Sequence, residues 1–202
     1  KFGTDLVSGS GTFSIPIPLS ETRSGFGPKL ALSYDSNSGN GPFGFGWRLS
    51  VPMISRRTEK GIPIYDDYND SDEFVISGSE ELVPKLAETI DDWVKESTPA
   101  QVRDGKTYAI HRYCPRTEGT FARIERWVNQ SDPTDTFWRS ITPDNVSSFF
   151  GLTPLERVVD PDDPRRVFAW LLSESRDDKG NAIKYEYLNE DERNLDITLS
   201  SE

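Results

Sequence analysis

Apolar and polar residues alternate with a period of two along most of the chain. In residues 8–47, SGSGTFSIPIPLSETRSGFGPKLALSYDSNSGNGPFGFGW, Phe13, Ile15, Ile17 and Leu19 alternate with Thr12, Ser14 and the Pro16/Pro18 pair. Leu30, Leu32 and Tyr34 alternate with Lys29, Ala31 and Ser33. Short alternating runs bounded by turn residues predict half-buried β-strands. Ser24-Gly25-Phe26-Gly27-Pro28 lies between the two runs as a turn signal, so the stretch reads as a long hairpin or as two strands paired with neighbours. It closes on Pro42-Phe43-Gly44-Phe45-Gly46-Trp47. There Phe43, Phe45 and Trp47 fall at period two and are expected to share one face and anchor a core, with the glycines allowing close backbone approach.

The pattern continues downstream. Residues 48–58 read as a strand that Pro52 confines to an edge or a bulge. Residues 62–65 read as a short strand, and 74–83 as a hairpin about Ser77-Gly78-Ser79. The segment 86–105 is polar and irregular. A short helix over 87–95, with Ile90, Trp93 and Val94 on one face, competes there with a loop or insertion outside the sheet, and the loop is the preferred reading. Residues 106–114 and 120–128 flank a turn of hairpin length, 136–141 and 146–150 read as strands, and 160–164 is a stiff, proline-bounded connector. Residues 167–173 and 182–188 flank Arg176-Asp177-Asp178-Lys179-Gly180-Asn181, whose Gly180 and Asn181 suit a hairpin turn. A further strand is expected at 195–199. Ten or more short strands without helix–strand alternation predict an all-β fold of antiparallel strands and hairpins, in one β-rich domain over residues 1–202.

Composition narrows the function classes. The net charge of -11 argues against a nucleic-acid partner. No apolar run is long enough to span a bilayer, so no membrane insertion is expected. Cys114 is the single cysteine, which excludes an internal disulfide framework. The chain starts at Lys1 and its one methionine is Met53, so it reads as a piece of a longer protein.

Candidate chemistry is sparse. His111 and Cys114 lie three apart in one expected strand and so point to opposite faces, which denies them the contact an activated nucleophile needs. One His and one Cys cannot build a zinc site. Residues 39–46 are glycine-rich but precede no helix that could hold phosphate. The acidic run at 66–73 contains Asp66, Asp67, Asn69, Asp70 and Asp72, oxygen donors of the kind calcium takes; its spacing is not that of an EF-hand, and a solvated acidic turn is the simpler reading. Glu125 and Glu186 are strand carboxylates with no assigned proximity. Glu190-Asp191-Glu192 has the Glu-x-Glu form of arginine-specific ADP-ribosyltransferases but sits in a charged tail. Arg23, Arg56, Arg57, Arg112, Arg116, Arg123, Arg126, Arg139, Arg165 and Arg166 are expected to stack on aromatics or pair with carboxylates. Trp93, Trp127, Trp138 and Trp170 are expected in the core, with a carbohydrate- or protein-binding surface as the alternative. No catalytic residue, cofactor or metal is assigned, and the chain reads as a non-enzyme.

TFSIPIPL followed by GFGPKLALSYDSNSGNGPFGFGW resembles the SpvB-type N-terminal domain that opens the B component of bacterial toxin complexes, including Rhs-associated insecticidal toxins. The likeness continues at 50–57, 113–127, 138–151 and 167–187, and SESRDDKGNAIKYEY is similar to a tyrosine–aspartate hairpin of Rhs proteins. The resemblance implies a large curved sheet, part of an Rhs-type hollow shell that encloses a cytotoxic effector. It implies three partners: the remainder of the same toxin chain, a C-type component and a pore-forming A-type component. It also implies secretion, with the bacterial cytoplasm as the compartment before release. Some proteins with this opening carry a distant transferase domain, which nothing here matches.

Overall fold

A computed structural model of the chain describes residues 2–4, 9–22, 25–41, 43–67, 69, 71–77, 80–88, 93–117 and 122–188. Every strand pairing among them is antiparallel. Their one helical piece is a 3-10 turn at Pro154–Glu156. The all-β reading therefore holds.

The first strands are β1 (Phe2–Thr4), β2 (Gly11–Pro16), β3 (Ala31–Asp35), β4 (Asn40–Gly41), β5 (Gly44–Phe45) and β6 (Trp47–Leu49). They build a four-stranded sheet in the order β1-β2-β3-β6, from which β4 and β5 form a separate small hairpin. The pairs Phe13↔Tyr34↔Trp47 and Ile15↔Leu32↔Leu49 put the apolar residues of three strands on one face. The pairs Thr12↔Asp35 and Ser14↔Ser33↔Arg48 put polar residues on the other.

Phe43 and Phe45 do not anchor a core: they are 52% and 65% exposed. Period-two logic needs a continuous strand, and Gly44 and Gly46, at φ of +96° and +78°, interrupt it. At Gly46 the bend is also a packing requirement, because a Cβ there would sit 2.6 Å from the Tyr34 ring and 2.8 Å from the Asp35 carbonyl. Trp47 packs, edge-on to Phe13 at 6.4 Å and tilted against Tyr34 at 5.3 Å between ring centroids, but within the small sheet.

Pro52 separates two elements rather than edging one strand: β6 ends at Leu49 and β7 (Met53–Arg56) enters a second, larger sheet. That sheet continues through β8 (Phe74–Ile76) and β9 (Glu80–Pro84), the hairpin expected at 74–83. Residues 62–65 are not a strand. The backbone N–H groups of Ile64 and Tyr65 donate to the Asp72 carboxylate instead of a ladder, and Tyr65 stands at φ +63°.

The described residues of segment 86–105 are mostly strand rather than loop or helix, and Ile90 of the expected helical face lies outside them. The segment contains β10 (Leu86–Glu88), β11 (Trp93–Lys95) and β12 (Ser97–Arg103). The first two pair with each other, and β12 pairs along β13 (Lys106–Pro115) with a register shift near Pro99. An edge strand in water needs no apolar face, so polar residues hid it. The remaining strands are β14 (Arg123–Asn129), β15 (Thr136–Ile141), β16 (Ser147–Phe150), β17 (Arg157–Val159), β18 (Val167–Arg176) and β19 (Ala182–Lys184). The hairpins β13–β14 and β18–β19 fall where the alternation places them. After Lys184 the chain leaves strand geometry, yet Tyr185 N–H still donates to Ser173 O and Tyr187 OH to Leu172 O. The strand expected at 195–199 lies outside the described residues.

The large sheet closes on itself. The order β13-β14-β15-β16-β18-β7-β8-β9 returns to β13 through Tyr113↔Pro84, Cys114↔Val83 and Pro115↔Leu82. A ring of this size is filled by its own side chains. Its interior holds Ile54, Phe74, Leu82, Tyr113, Ile124, Trp138, Phe150, Val167, Trp170 and Leu172. Phe74 meets Tyr113, Trp138 and Trp170 at 5.8, 4.9 and 5.8 Å, with interplanar angles of 90°, 65° and 64°. Edge-to-face contacts of this kind add to the burial of ring area. Gly151, at φ +73°, lets the chain pass over Trp170, since a Cβ there would lie 2.4 Å from the indole Cδ1.

Neighbouring positions of the same strands face outward. Tyr108, Ile110, Trp127 and Phe137 form a second cluster there. The Arg103 guanidinium of β12 covers it, 5.1 Å from the Phe137 centroid and 4.7 Å from that of Phe149.

Phe74→Ala is expected to destabilise the chain by about 3–5 kcal/mol, because it removes the ring that three others touch and leaves a cavity. Chemical denaturation followed by tryptophan emission measures this.

Candidate functional site

A cluster of charge built on two buried arginines lies inside one mouth of the barrel. Ile54 and Arg56 alternate inward on β7, as Ile124 and Arg126 do on β14. Arg56 is only 2% exposed. Its Nε donates to Val167 O at 2.8 Å, and Nη1 donates to Asp67 at 2.6 Å and Asp72 at 2.8 Å. Its Nη2 donates to the second Asp67 oxygen at 3.0 Å, making that contact bidentate. Arg126 Nη2 donates to the same Asp67 oxygen at 2.5 Å. Both guanidiniums also stack on rings: Arg56 lies 4.8 Å from Tyr65 and 5.1 Å from Phe74, and Arg126 lies 5.2 Å from Phe74.

The carboxylates arrive on the loop between β7 and β8. Among the described residues of this acidic run, a calcium candidate by composition, the carboxylates have partners within the protein. Asp67 and Asp72 are committed to the arginines, and Asp72 also accepts the N–H groups of Ile64 and Tyr65. Asp66 accepts the backbone and side-chain N–H groups of Asn69, and Asp70 lies outside the described residues. The excess of guanidinium, not the spacing of the aspartates, decides the outcome: two buried cations need two anions.

Burial pushes the Asp67 carboxyl up, but hydrogen bonds from Arg56 and the charges of Arg126 and Arg56 outweigh it and hold the group at about 2. A carboxylate lowered from 3.8 contributes stability that is complete above that value and is lost as pH falls through about 2.

A second knot lies beside the outer cluster. Asp135 accepts Lys106 Nζ at 2.8 Å, Arg157 Nη2 at 2.9 Å, Tyr108 OH at 2.9 Å and Asn129 Nδ2 at 3.2 Å. Burial pushes its carboxyl up, and these donors together hold it well below the usual carboxylate range. Glu125, 1% exposed, accepts Trp127 Nε1 at 3.1 Å and Arg123 Nε at 2.5 Å. Glu156 accepts Ser173 Oγ at 2.7 Å and the Thr153 N–H at 2.8 Å. Near it, burial and the Glu156 charge push the Tyr187 phenol up to about 12.

The other sequence candidates stay apart. His111 and Cys114 occupy opposite faces of β13, and the Cys114 thiol points to Val83 O at 3.8 Å. Glu125 is enclosed in the barrel wall, whereas Glu186 is exposed beyond β19. Glu190-Asp191-Glu192 and Arg23 lie outside the described residues. Trp127, Trp138 and Trp170 are buried, which removes them from any binding surface. Trp93 is exposed on the β10–β11 hairpin. Arg57 pairs with Glu59, Glu73 and Glu81, Arg112 with Glu96, Arg116 with Glu81, Arg139 with Glu125, and Arg165 and Arg166 with Asp163. Sequence reasoning missed the Arg56–Arg126–Asp67–Asp72 group as a unit. Its available signal was an arginine two residues after an isoleucine, on the same face, in each of two strands.

The family profile described as "Salmonella virulence plasmid 65kDa B protein" matches residues 6–202. The chain is 38% identical over 190 residues to "Mono(ADP-ribosyl)transferase SpvB" of Salmonella typhimurium, covering 94% of this chain and 31% of that protein. The protein of the same name from Salmonella dublin matches at the same identity and coverage. The chain thus spans about a third of the length of these curated relatives. Among solved structures, the N-terminal domain of effector protein SpvB from Salmonella typhimurium strain LT2 is similar at TM-score 0.78 and 39% identity. That match covers 91% of this chain and 56% of that one. TcdB2-TccC3 is similar at TM-score 0.78 and 31% identity, over 95% of this chain and 9% of that one. The Photorhabdus luminescens Tc holotoxin pore is similar at TM-score 0.77 and 31% identity, over 91% and 8%.

Asp67→Asn is expected to destabilise the protein by roughly 2 kcal/mol at neutral pH. It is also expected to flatten the loss of stability that the native chain shows on acidification from about pH 4 to 2. Asp66→Asn, at an exposed carboxylate, is expected to change stability by less than about 0.5 kcal/mol. Denaturant midpoints across a pH series read both.

Proposed function

The chain belongs to the SpvB family, and on that premise we propose that it is a non-catalytic structural module of a secreted bacterial toxin or virulence protein. In this reading the barrel and its attached sheet form part of a hollow β-shell that encloses a cytotoxic effector. The partners are then the remainder of the same chain and, in toxin complexes, the C-type and A-type components. The observation that carries the reading is the closed, aromatic-filled barrel, matched over 95% of this chain within TcdB2-TccC3. The fate of the charged groups supports it. The buried Glu125 and the partly buried Asp67, Asp72 and Asp135 are each spent on fixed cations or ring N–H donors. A general base must instead face a substrate with its proton-accepting oxygen available.

The transferase activity in the relatives' name is a property of proteins about three times as long. It is assigned here to the part of those proteins that this chain does not cover. A protein-binding role is the second reading. The exposed Leu86, Trp93 and Val94 of the β10–β11 hairpin favour it, since an exposed tryptophan flanked by aliphatics suits an interface.

In the full-length protein, Phe74→Ala is expected to abolish protease protection of the enclosed effector segment while the isolated effector keeps its turnover. Glu186→Gln and Glu190→Gln are expected to leave protection and toxicity unchanged. Loss of toxicity in either variant with protection intact overturns the non-catalytic reading. Loss of assembly in Trp93→Ala with the barrel folded favours the second one.

A further inference from the structure

The four-stranded N-terminal sheet has one apolar face that is partly buried at Leu32, Tyr34, Trp47 and Leu49 and lies open to water along its β2 side. Its rows are Phe13–Tyr34–Trp47 and Ile15–Leu32–Leu49, and the β2 side of the face runs on through Ile17 and Leu19. Phe13, Ile15, Ile17 and Leu19 are 36%, 44%, 38% and 47% exposed. The opposite face carries Ser14, Ser33, Arg48 and Asp35. An amphipathic sheet of this kind is half of a two-layer structure, and a contiguous apolar patch left in water marks an interaction surface.

We infer that this face is covered by a later segment of the same polypeptide, packed on it as the second layer. The inference rests on the shell reading and names the partner of one face within it. Three observations choose the occupant. The matched stretch is 56% of the solved SpvB N-terminal domain chain and 31% of the curated relatives, so each of those polypeptides has much more chain to offer. A tethered segment meets the face at a high effective concentration and needs little affinity of its own. The net charge of -11 opposes the other two candidates: it repels a second copy of this chain and an anionic lipid surface alike.

The test uses the full-length protein in a background lacking reactive cysteines, with Cys114→Ser. Single cysteines are placed on the apolar face (Ile15→Cys, Leu19→Cys) and on the polar face (Arg48→Cys), and maleimide labelling rates are compared. The apolar-face sites are expected to react at least about tenfold more slowly than the polar-face site, independently of protein concentration. Equal rates, or protection that grows with concentration as a second copy would produce, overturn the inference. Hydroxyl-radical footprinting of the unsubstituted protein repeats the measurement without variants: Phe13 and Leu19 are expected to resist oxidation while the exposed Trp93 is modified. Oxidation of all three overturns it. Protease protection of the effector segment, read on the same samples, separates the two levels. An accessible face in a protein that still encloses its effector overturns this inference alone, and a covered face in one that encloses nothing overturns the shell reading alone.

Discussion

An eight-stranded ring leaves an interior that side chains must fill, and here two of the fillers are arginines. Everything near that mouth follows from the cost of enclosing two guanidiniums away from water. The loop between β7 and β8 has to deliver two carboxylates to them, so it is acidic and folds inward rather than forming a strand. Tyr65, Phe74 and Trp170 supply the ring faces on which the cations lie. Asp67 touches both arginines, which come from strands distant in sequence, and ties the capping loop to opposite parts of the wall.

The same economy governs the outer face of the barrel. Asp135, Glu125 and Glu156 are each met by more than one donor, and the donors around Asp135 hold its carboxyl well below the usual carboxylate range. An acid–base catalyst needs a group whose affinity for a proton lies near working pH and whose partner changes during a reaction. Asp135 and Glu156 lock neighbouring elements together, through Lys106, Tyr108 and Arg157 in one case and Ser173 in the other.

Local pattern read the local structure well. Period-two runs with turn residues between them located the hairpins of β8–β9, β13–β14 and β18–β19, with ends up to four residues off, and the strands β15 and β16 to within a residue. Trp138 and Trp170 declared themselves as core by their neighbours. What stayed hidden was set by distant parts of the chain. Closure of the ring depends on Leu82 meeting Pro115 and Val83 meeting Cys114, and no local signal marks those partners. The polar strand β12 was invisible because its ladder comes from β13 and its side chains need no apolar home. The acidic run 66–73 was legible as chemistry but not as a partner, because its arginines lie on β7 and β14. Phe43 and Phe45 misled for a related reason: their spacing is that of a strand, and the glycines between them interrupt the strand.

The contrast between the two sheets carries the last step. The barrel's interior is filled by its own side chains, and its ring is closed by the pairing of β9 with β13. The N-terminal sheet has the same alternation and the same aromatic pairing, with Trp47 between Phe13 and Tyr34, but its apolar face remains half in water. Residues of equal apolar character thus end with different exposure because one sheet can close around its face and the other cannot. A four-stranded sheet is too narrow to curl into a barrel, so it can dry that face only by stacking on another layer. Rigid barrel and incomplete sheet in one chain suit a building unit, with the barrel fixing the geometry and the sheet offering the next contact.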